Sequence, residues 1–156
     1  MPKHRQTRKD NLNTVLRRPM SKLSGVNDVS VFFDPTQMVN TLVRLVTASK
    51  RVVGCVAWLT HPEVLSALER VDSTIVMTKH RSNRWKRHIK VKFIGKRRLL
   101  MHHKFLVGFD ESGPAWVSLG SFNITKSAVS NLENMLVFKD RRMANIFVRE
   151  FDRLIA

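Results

Sequence analysis

The sequence predicts an α/β fold, a central sheet with helices on both faces. Residues 29–77 alternate between short β-branched or aromatic runs and helical segments, in the order strand, helix, strand, helix, strand. That order is typical of right-handed crossovers between strands of one sheet. The second strand is almost entirely apolar, which indicates burial on both faces. A length of 156 residues fits a single domain with its own core.

Local patterns predict the elements of the first half. The run Val29–Phe33 is typical of a strand. Asp34 is the predicted N-cap of a helix over Thr36–Ser49, with Pro35 at its first position. Thr60 is the predicted cap of a second helix. The remaining elements are the strand Arg51–Leu59, the second helix with Pro62 in its first turn, and the strand Ser73–Met77.

Four side chains of this half carry further expectations. Met38 lies on the core face of the first helix, and Trp58 is also expected in the core. His61 stands where a strand gives way to a helix, and we expect an exposed histidine of the capping region. The single cysteine, Cys55, lies in an apolar run and is expected to be a buried, inert thiol.

The second half predicts a hairpin, a strand and a long helix. The apolar runs Phe105–Phe109 and Ala115–Leu119 flank the turn-forming segment Asp110–Pro114, which indicates the hairpin. A short strand over Val91–Ile94 precedes it, and Ile124–Asn131 indicates a turn or short helix. The strand Glu133–Phe138 follows, and then a helix over Arg141–Ile155 with Asp140 as N-cap and with Ile146, Phe147, Phe151 and Leu154 facing inward.

The charge of the chain indicates a polyanionic partner. Lys and Arg number 28 against 12 Asp and Glu, which gives a formal net charge of +16. Such an excess favours binding to phosphate backbones through counterion release. A solvated basic surface, or a ribosome-type structural protein, remains an open alternative from composition alone.

Basic residues concentrate in two segments. Residues 1–27 are basic and aperiodic, and indicate either an extended arm along a phosphate backbone or a disordered tail. Between Lys79 and Arg98 there are ten Lys or Arg, no acidic residue, and an interleaved tryptophan. We predict that this stretch binds nucleic acid through Lys79, Arg81, Arg84, Trp85, Lys86, Arg87, Lys96, Arg97 and Arg98.

The remaining composition favours a cytoplasmic protein. A single cysteine is consistent with a reducing compartment. No segment approaches the roughly 18 uninterrupted apolar residues of a membrane span, and the basic N-terminus has no apolar core of a secretory signal. We therefore expect no membrane association.

The predicted hairpin gathers a set of chemically active side chains. Its outer ends carry His102 and Lys104 on one strand, and Ser121 and Asn123 on the other. An imidazole, an ammonium group, a hydroxyl and a carboxamide at one sheet edge suit a phosphodiester substrate. His103 should point to the opposite face, since side chains alternate along a strand. This alternation also argues against a metal site built on the two histidines.

These residues resemble a known motif. His-x-Lys followed by Gly-Ser-x-Asn resembles the HKD motif of the phospholipase D superfamily. The segments MHHKF, GSFNIT and NLENMLVF resemble its small, single-motif nuclease branch, over roughly residues 29–156. The resemblance implies a phospholipase D-like sandwich with a mixed sheet in a domain over residues 28–156. It implies no metal or other cofactor.

One position departs from the family pattern. The family places an Asp five residues after the Lys, where this chain has Phe109, and Asp110 follows one position later. The spacer to Gly120 is also longer than usual. Because that Asp is mainly structural in the family, the departure concerns the role of Asp110 more than the chemistry.

The resemblance also implies the catalytic roles. His102 would be the nucleophile or acid, Lys104 would bind phosphoryl oxygens, and Ser121 and Asn123 would donate hydrogen bonds. Glu133 is expected to orient His102 through the second ring nitrogen. Hydrolysis by a phosphohistidine intermediate needs two imidazoles, so a chain with one motif implies a homodimer with a single active site on its two-fold axis.

Three functional classes stay open at this point. The first is a metal-independent nuclease, with DNA a more natural substrate than RNA. The second is a phospholipase, which shares the chemistry but for which the sequence shows no amphipathic membrane anchor. The third is a nucleic-acid-binding protein of the same fold that lacks turnover.

Overall fold

A computed structural model describes residues 28–83, 88–95 and 100–156. The predicted N-terminal arm lies outside these residues. Within them the chain forms seven strands, three α-helices and one 3-10 helix. The strands are β1 (Val29–Phe32), β2 (Arg51–Val56), β3 (Asp72–Thr78), β4 (Lys90–Ile94), β5 (Lys104–Asp110), β6 (Gly113–Gly120) and β7 (Met135–Phe138). The helices are α1 (Pro35–Thr47), α2 (Pro62–Leu68) and α3 (Arg141–Ile155), with the 3-10 helix at Ser127–Ser130.

The seven strands form one mixed sheet, as predicted. Their order is β1-β7-β6-β5-β2-β3-β4. β2 pairs with β3, and β3 with β4, in parallel, whereas every other neighbouring pair is antiparallel. Consequently β5 and β7 are antiparallel to the other five strands. The carboxyl ends of β2, β3 and β6 therefore meet the amino ends of β5 and β7 at a single edge.

Helices cover both faces of the sheet, which confirms the predicted architecture. On β2, Val52 and Val56 belong to the core beneath α1 and α2, while Val53 and Cys55 belong to the core beneath α3. This division follows the two-residue alternation of a strand. All four side chains are fully or almost fully buried. Burial raises the pKa of the Cys55 thiol to about 12, in agreement with an inert core cysteine.

Two of the three predicted helix caps are confirmed. Asp34 Oδ1 accepts hydrogen bonds from the backbone N–H of Thr36 at 2.8 Å and Gln37 at 3.3 Å. Asp140 Oδ1 accepts from the backbone N–H of Met143 at 2.9 Å. Each bond satisfies a donor that the first helical turn leaves unpaired.

The predicted start of α2 was wrong by one residue. Its N-cap is His61, whose side chain makes no capping bond. The backbone N–H groups of Thr60 and His61 both donate to the carbonyl of Ile124, at 2.8 and 3.0 Å. These bonds hold the segment against the chain that follows β6, and Thr60 lies one position before the cap. His61 is buried, with 8% exposure, and not exposed as expected.

Two further core assignments were wrong, and Met38 was right. Met38 is fully buried under the sheet. Trp58 is only half-buried, because β2 ends at Val56 and leaves the indole beyond the sheet edge. Ile146 is 51% exposed. The apolar stripe of α3 instead runs through Ala144 and Phe151, so Ile146 falls on its outer side.

The predicted hairpin is present, with longer strands than expected. β5 continues to Asp110 and β6 begins at Gly113, so Glu111 and Ser112 form the two-residue tip of the hairpin.

The last strand is shorter than predicted. β7 begins at Met135 and not at Glu133, which leaves Glu133 in the loop at the amino end of that strand. The β4 prediction and the α3 bounds agree with the structure to within one residue.

Replacement of Gly108 tests the packing inside this hairpin. The strand pairing shifts between Gly108 and Phe109, and a Cβ at Gly108 would lie 2.1 Å from Nε1 of Trp116. That nitrogen donates to Ser49 Oγ at 3.1 Å. We expect Gly108→Ala to displace the indole and to lower the free energy of unfolding by about 1–3 kcal/mol, measured by urea denaturation. The control Ser112→Ala, at the exposed tip, should stay within about 0.5 kcal/mol of wild type. Equal stabilities of both variants would contradict the packing argument.

Candidate active site

The residues of the predicted site meet at one edge of the sheet. Lys104 begins β5, and His102 precedes it by two positions. Gly120 ends β6, with Ser121 next in the chain, while Glu133 lies two positions before β7. Backbone bonds from Ala57 to His103 (2.9 Å) and from Ser121 to Asn134 (3.1 Å) continue the strand pairing past the strand ends. Crevices outside strand ends are common ligand sites in open α/β sheets.

His102 and Lys104 are in direct contact. The Nζ atom of Lys104 lies 3.1 Å from Nε2 of His102 and 2.9 Å from the His102 carbonyl oxygen. An ammonium group only donates, so Nε2 accepts and the ring proton is assigned to Nδ1. The contact places an unprotonated ring nitrogen beside a cation, at an exposed position on the sheet edge.

The surroundings of the pair keep His102 neutral. Partial burial lowers the pKa of His102 below its ordinary value, and the charges of Lys104 and His103 lower it further. Burial also lowers the pKa of Lys104, although the Glu133 carboxylate opposes this shift. An imidazole with a lowered pKa keeps its electron pair near pH 7, as a nucleophile requires.

Ser121 and Glu133 form a second polar group beside this pair. Ser121 Oγ donates a hydrogen bond to Glu133 Oε2 and accepts one from the backbone N–H of Asn134 at 3.0 Å. The other carboxylate oxygen of Glu133 accepts from Nδ2 of Asn131 at 3.3 Å. Within the described chain, the Glu133 carboxylate is thus bonded to Ser121 and Asn131, whereas the sequence assigned it to His102.

Gly120 and Asn123 complete the Gly-Ser-x-Asn segment. A Cβ on Gly120 would lie 2.2 Å from the carbonyl oxygen of Asn134, so glycine is needed for this close approach. Asn123 is partly buried, and its carbonyl accepts from the N–H of Thr125 at 2.8 Å. Its side-chain Oδ1 is buried without a donor among the residues that the structure describes.

Trp58 is a site residue that the sequence analysis missed. Its ring meets that of His102 edge to face, with centroids 5.7 Å apart. It meets the ring of His80 in the same manner, at 6.0 Å. An apolar run suggested a core position for Trp58. The apolar run predicted a strand as far as Leu59, whereas β2 ends at Val56, so the sequence held no local signal for this position.

His103 lies on the opposite face, as strand alternation predicts. Its Nε2 is 3.0 Å from Glu150 Oε1 on α3, and its ring packs against Phe105. Arg153 donates to both oxygens of Glu150, each at 2.8 Å. The Arg153 bonds, followed by the His103 bond, hold the pKa of Glu150 at about 2 against the opposing effect of burial. The His-x-Lys segment is thereby anchored to α3.

Asp110 belongs to the other end of β5. It lies six residues beyond Lys104 along the strand, or about 20 Å at 3.3 Å per residue. Its Oδ2 accepts from Arg141 at 2.5 Å and its Oδ1 accepts from the backbone N–H of Ser112 at 2.8 Å. The Arg141 bond holds the pKa of this carboxyl below its usual range. Asp110 therefore joins the hairpin to α3 and takes no part in the site.

The predicted nucleic-acid-binding residues can be placed only in part. Lys79 and Arg81 are exposed just after β3, beside a cleft of about 290 Å³ that His80, Asn83 and Phe93 also line. This cleft opens at the same sheet edge as the motif. The other predicted contacts lie outside the described residues: Arg84, Trp85, Lys86, Arg87, Lys96, Arg97 and Arg98.

Two structural features are absent from the described ranges. Among them there is no cluster of three or more His, Cys, Asp or Glu side chains arranged to hold a metal ion. In the same part of the chain, every helix is too short or too polar to cross a bilayer.

Comparison with known proteins relates most of the chain to one family. The family model described as "Cardiolipin synthase, PLD-like domain" matches residues 41–155. Among curated proteins, uncharacterized protein L381 of Acanthamoeba polyphaga mimivirus is 40% identical over 52 residues. That match spans 33% of this chain and 19% of L381, so it covers about a fifth of the length of that relative.

Two solved structures share the fold. Nuc from Salmonella typhimurium, a phospholipase D family member, superposes with a TM-score of 0.67 at 21% identity, over 81% of this chain and 92% of Nuc. NucT from Helicobacter pylori superposes with a TM-score of 0.71 at 17% identity, over 82% of this chain and 95% of NucT. At these identities the likeness concerns the fold.

The titration of His102 tests the electrostatics of the site. We expect its pKa, measured from ring proton shifts by NMR, to lie below 6.5. Replacement of Lys104 by Gln removes a neighbouring positive charge, so protonation of the ring becomes easier and the pKa should rise. Lys139→Gln removes a lysine from the loop after β7 and serves as the charge-matched control. An unchanged pKa in the Lys104 variant would contradict the described contact.

Proposed function

Because the chain belongs to the phospholipase D superfamily, we propose that it is a metal-independent phosphodiesterase that cleaves nucleic acid through a phosphohistidine at His102. The observation that carries the proposal is the 3.1 Å contact between His102 Nε2 and Lys104 Nζ at the sheet edge. A neutral imidazole nitrogen beside a cation supplies both a nucleophile and a partner for the phosphoryl oxygens.

The reaction has two displacements at phosphorus. His102 Nε2 forms a bond to phosphorus while the bond to the leaving oxygen breaks, and a second imidazole gives that oxygen a proton. Water then attacks the phosphohistidine, the second imidazole takes the proton of the water, and the bond between Nε2 and phosphorus breaks. Lys104, which donates to Nε2 in the free chain, would turn to the phosphoryl oxygens as substrate arrives.

Neutral donors and one carboxylate complete the proposed site. Ser121 and Asn123 would donate hydrogen bonds to the phosphoryl oxygens, beside Lys104. Glu133 holds the Ser121 hydroxyl in the free chain. The Nδ1–H of His102 requires an acceptor when the ring carries phosphorus, and we assign Glu133 to that role in the assembled site.

The second imidazole would come from a second copy of the chain. The chain carries a single Gly-Ser-x-Asn segment, Gly120–Asn123, and it lies beside His102 and Lys104 only. A two-fold dimer places identical surfaces face to face, so two such edges would share one phosphate between two His102 side chains. The exposed position of His102 and Ser121 on the sheet edge leaves them accessible to such a partner.

Charge and placement support a nucleic-acid substrate. The chain carries a net charge of +16, and Lys79 and Arg81 are exposed at the edge that holds His102. Neutralised phosphates release counterions, so the site would concentrate polyanions. DNA is the substrate that we would test first, followed by RNA.

One observation favours a lipid phosphodiester as the second candidate. A cavity of about 440 Å³ borders His102 and His103 and is lined mainly by apolar side chains, which include Ile94, Leu100 and Leu154. An acyl chain would fit such a lining. Release of head group from phosphatidylglycerol vesicles, with no cleavage of nucleic acid, would favour this candidate.

Cleavage in the presence of a chelator tests the proposed chemistry. We expect the wild type to cut DNA in excess EDTA, because no step requires a metal ion. His102→Ala should lose activity by at least about 10³-fold, since it removes the nucleophile. His88→Ala removes an exposed histidine before β4, at the opposite edge of the sheet, and should retain activity. Activity that survives in His102→Ala would refute the assignment.

Mixed assemblies test the shared site. Wild type and His102→Ala are combined in equal amounts, refolded together and assayed at constant total protein. If each site needs two His102 side chains, about one quarter of the wild-type activity should remain, against about one half for independent chains. A mixture of wild type with His88→Ala should keep full activity. A remaining activity of one half would contradict the dimer.

A further inference from the structure

We propose that the cleft beside His80 is a nucleotide subsite, which holds an unpaired nucleotide next to the scissile phosphate. The inference rests on the proposed function and adds a recognition element to it. The residues that line the cleft are Lys79, His80, Arg81, Asn83 and Phe93. Neither the family motif nor the catalytic assignment uses His80, Asn83 or Phe93.

The cleft lies on the same sheet edge as the reacting group. Three adjacent strands, β5, β2 and β3, carry His102, Trp58 and His80 at or just beyond that edge. The strand spacing is about 4.8 Å, so the cleft begins roughly 10 Å from the strand of His102. Trp58 touches both imidazoles, with ring centroids at 5.7 and 6.0 Å. The three rings therefore make a continuous surface between the two positions.

The side chains of the cleft offer donors for a phosphate backbone. His80 Nδ1 accepts the backbone N–H of Ser82 at 3.2 Å. This bond occupies Nδ1 as an acceptor and leaves Nε2 as the ring atom that can donate to a ligand. Lys79 and Arg81 flank His80 in the chain and are both exposed. Together these three residues could donate hydrogen bonds to the phosphate next to the scissile phosphate, on either side of it.

Phe93 supplies an aromatic surface in the same cleft. Its side chain is 39% exposed on β4, which is the outermost strand on one side of the sheet. Stacking of bases on exposed aromatic rings is a common mode of binding for single strands, because every base has a π-face. A base paired within a duplex cannot offer that face, so the cleft suits an unpaired nucleotide.

Asn83 holds the cleft in shape before any ligand binds. It is 3% exposed, and its Nδ2 donates to the carbonyls of Ala57 at 2.7 Å and Thr78 at 2.8 Å. These carbonyls lie at the ends of β2 and β3, so one side chain ties the loop of His80 to both strands. A preorganised loop loses less conformational entropy on binding.

Two phosphodiesters that differ in length test the subsite. Bis(4-nitrophenyl) phosphate reaches only the site of His102, whereas a single-stranded oligodeoxynucleotide also reaches the cleft. We expect His80→Ala and Phe93→Leu to lower kcat/KM for the oligonucleotide about tenfold more than for the small ester. Phe93→Tyr should restore the wild-type ratio, because it keeps the aromatic face.

The controls are His88→Ala and Phe33→Ala, which remove an exposed histidine and an exposed phenylalanine away from the cleft. Both should keep the wild-type ratio between the two substrates. Equal losses on both substrates, or none on the oligonucleotide, would overturn the subsite while leaving the proposed function intact.

Failure of the proposed function has a different signature. In that case the wild type would hydrolyse neither substrate, or His102→Ala would hydrolyse both. Fluorescence anisotropy of a labelled oligonucleotide then tests the subsite without turnover. About tenfold weaker binding by His80→Ala and by Phe93→Leu would support the cleft, and unchanged binding by both variants would refute it.

Discussion

The register of β5 between β2 and β6 is the constraint on which the site depends. Lys104 stands opposite Val56 of β2, and Phe105 stands opposite Leu119 of β6. A slip of one residue would turn every side chain of β5 to the other face. His102 and Lys104 would then exchange places with His103. The fully buried Leu106 and Val107, which point to the two cores, make such a slip costly.

Helix α3 secures the same strand at both ends. Arg141, at its first turn, bonds to Asp110, and Glu150, near its end, bonds to His103. Exposed ion pairs contribute little to stability. Apolar contacts between the helix and the sheet supply most of the free energy that holds the helix in place. One of them joins Phe105 and Phe147, whose ring centroids are 5.0 Å apart. The ion pairs instead determine where the ends of β5 lie relative to α3.

Much of the fold could be predicted because it depends on short-range rules. A cap residue such as Asp34 acts on the next three residues, and a hairpin needs only two apolar runs and a turn. The assignments that failed depended on distant partners. Thr60 and His61 are held by Ile124, some sixty residues later, and Trp58 lies beyond a strand whose end its neighbours decide. No pattern within a window of ten residues contains that information.

The sequence by itself determined the alternation of strands and helices, the hairpin, two helix caps and the order of the His-x-Lys and Gly-Ser-x-Asn segments. These follow from local backbone preferences and side-chain periodicity. The tertiary structure alone decided which side chains meet. In the folded chain Lys104 is hydrogen-bonded to His102, and the Glu133 carboxylate accepts from Ser121. Trp58 lies between the rings of His102 and His80. Strand pairing is a non-local interaction, and only the assembled sheet brings these residues to one edge.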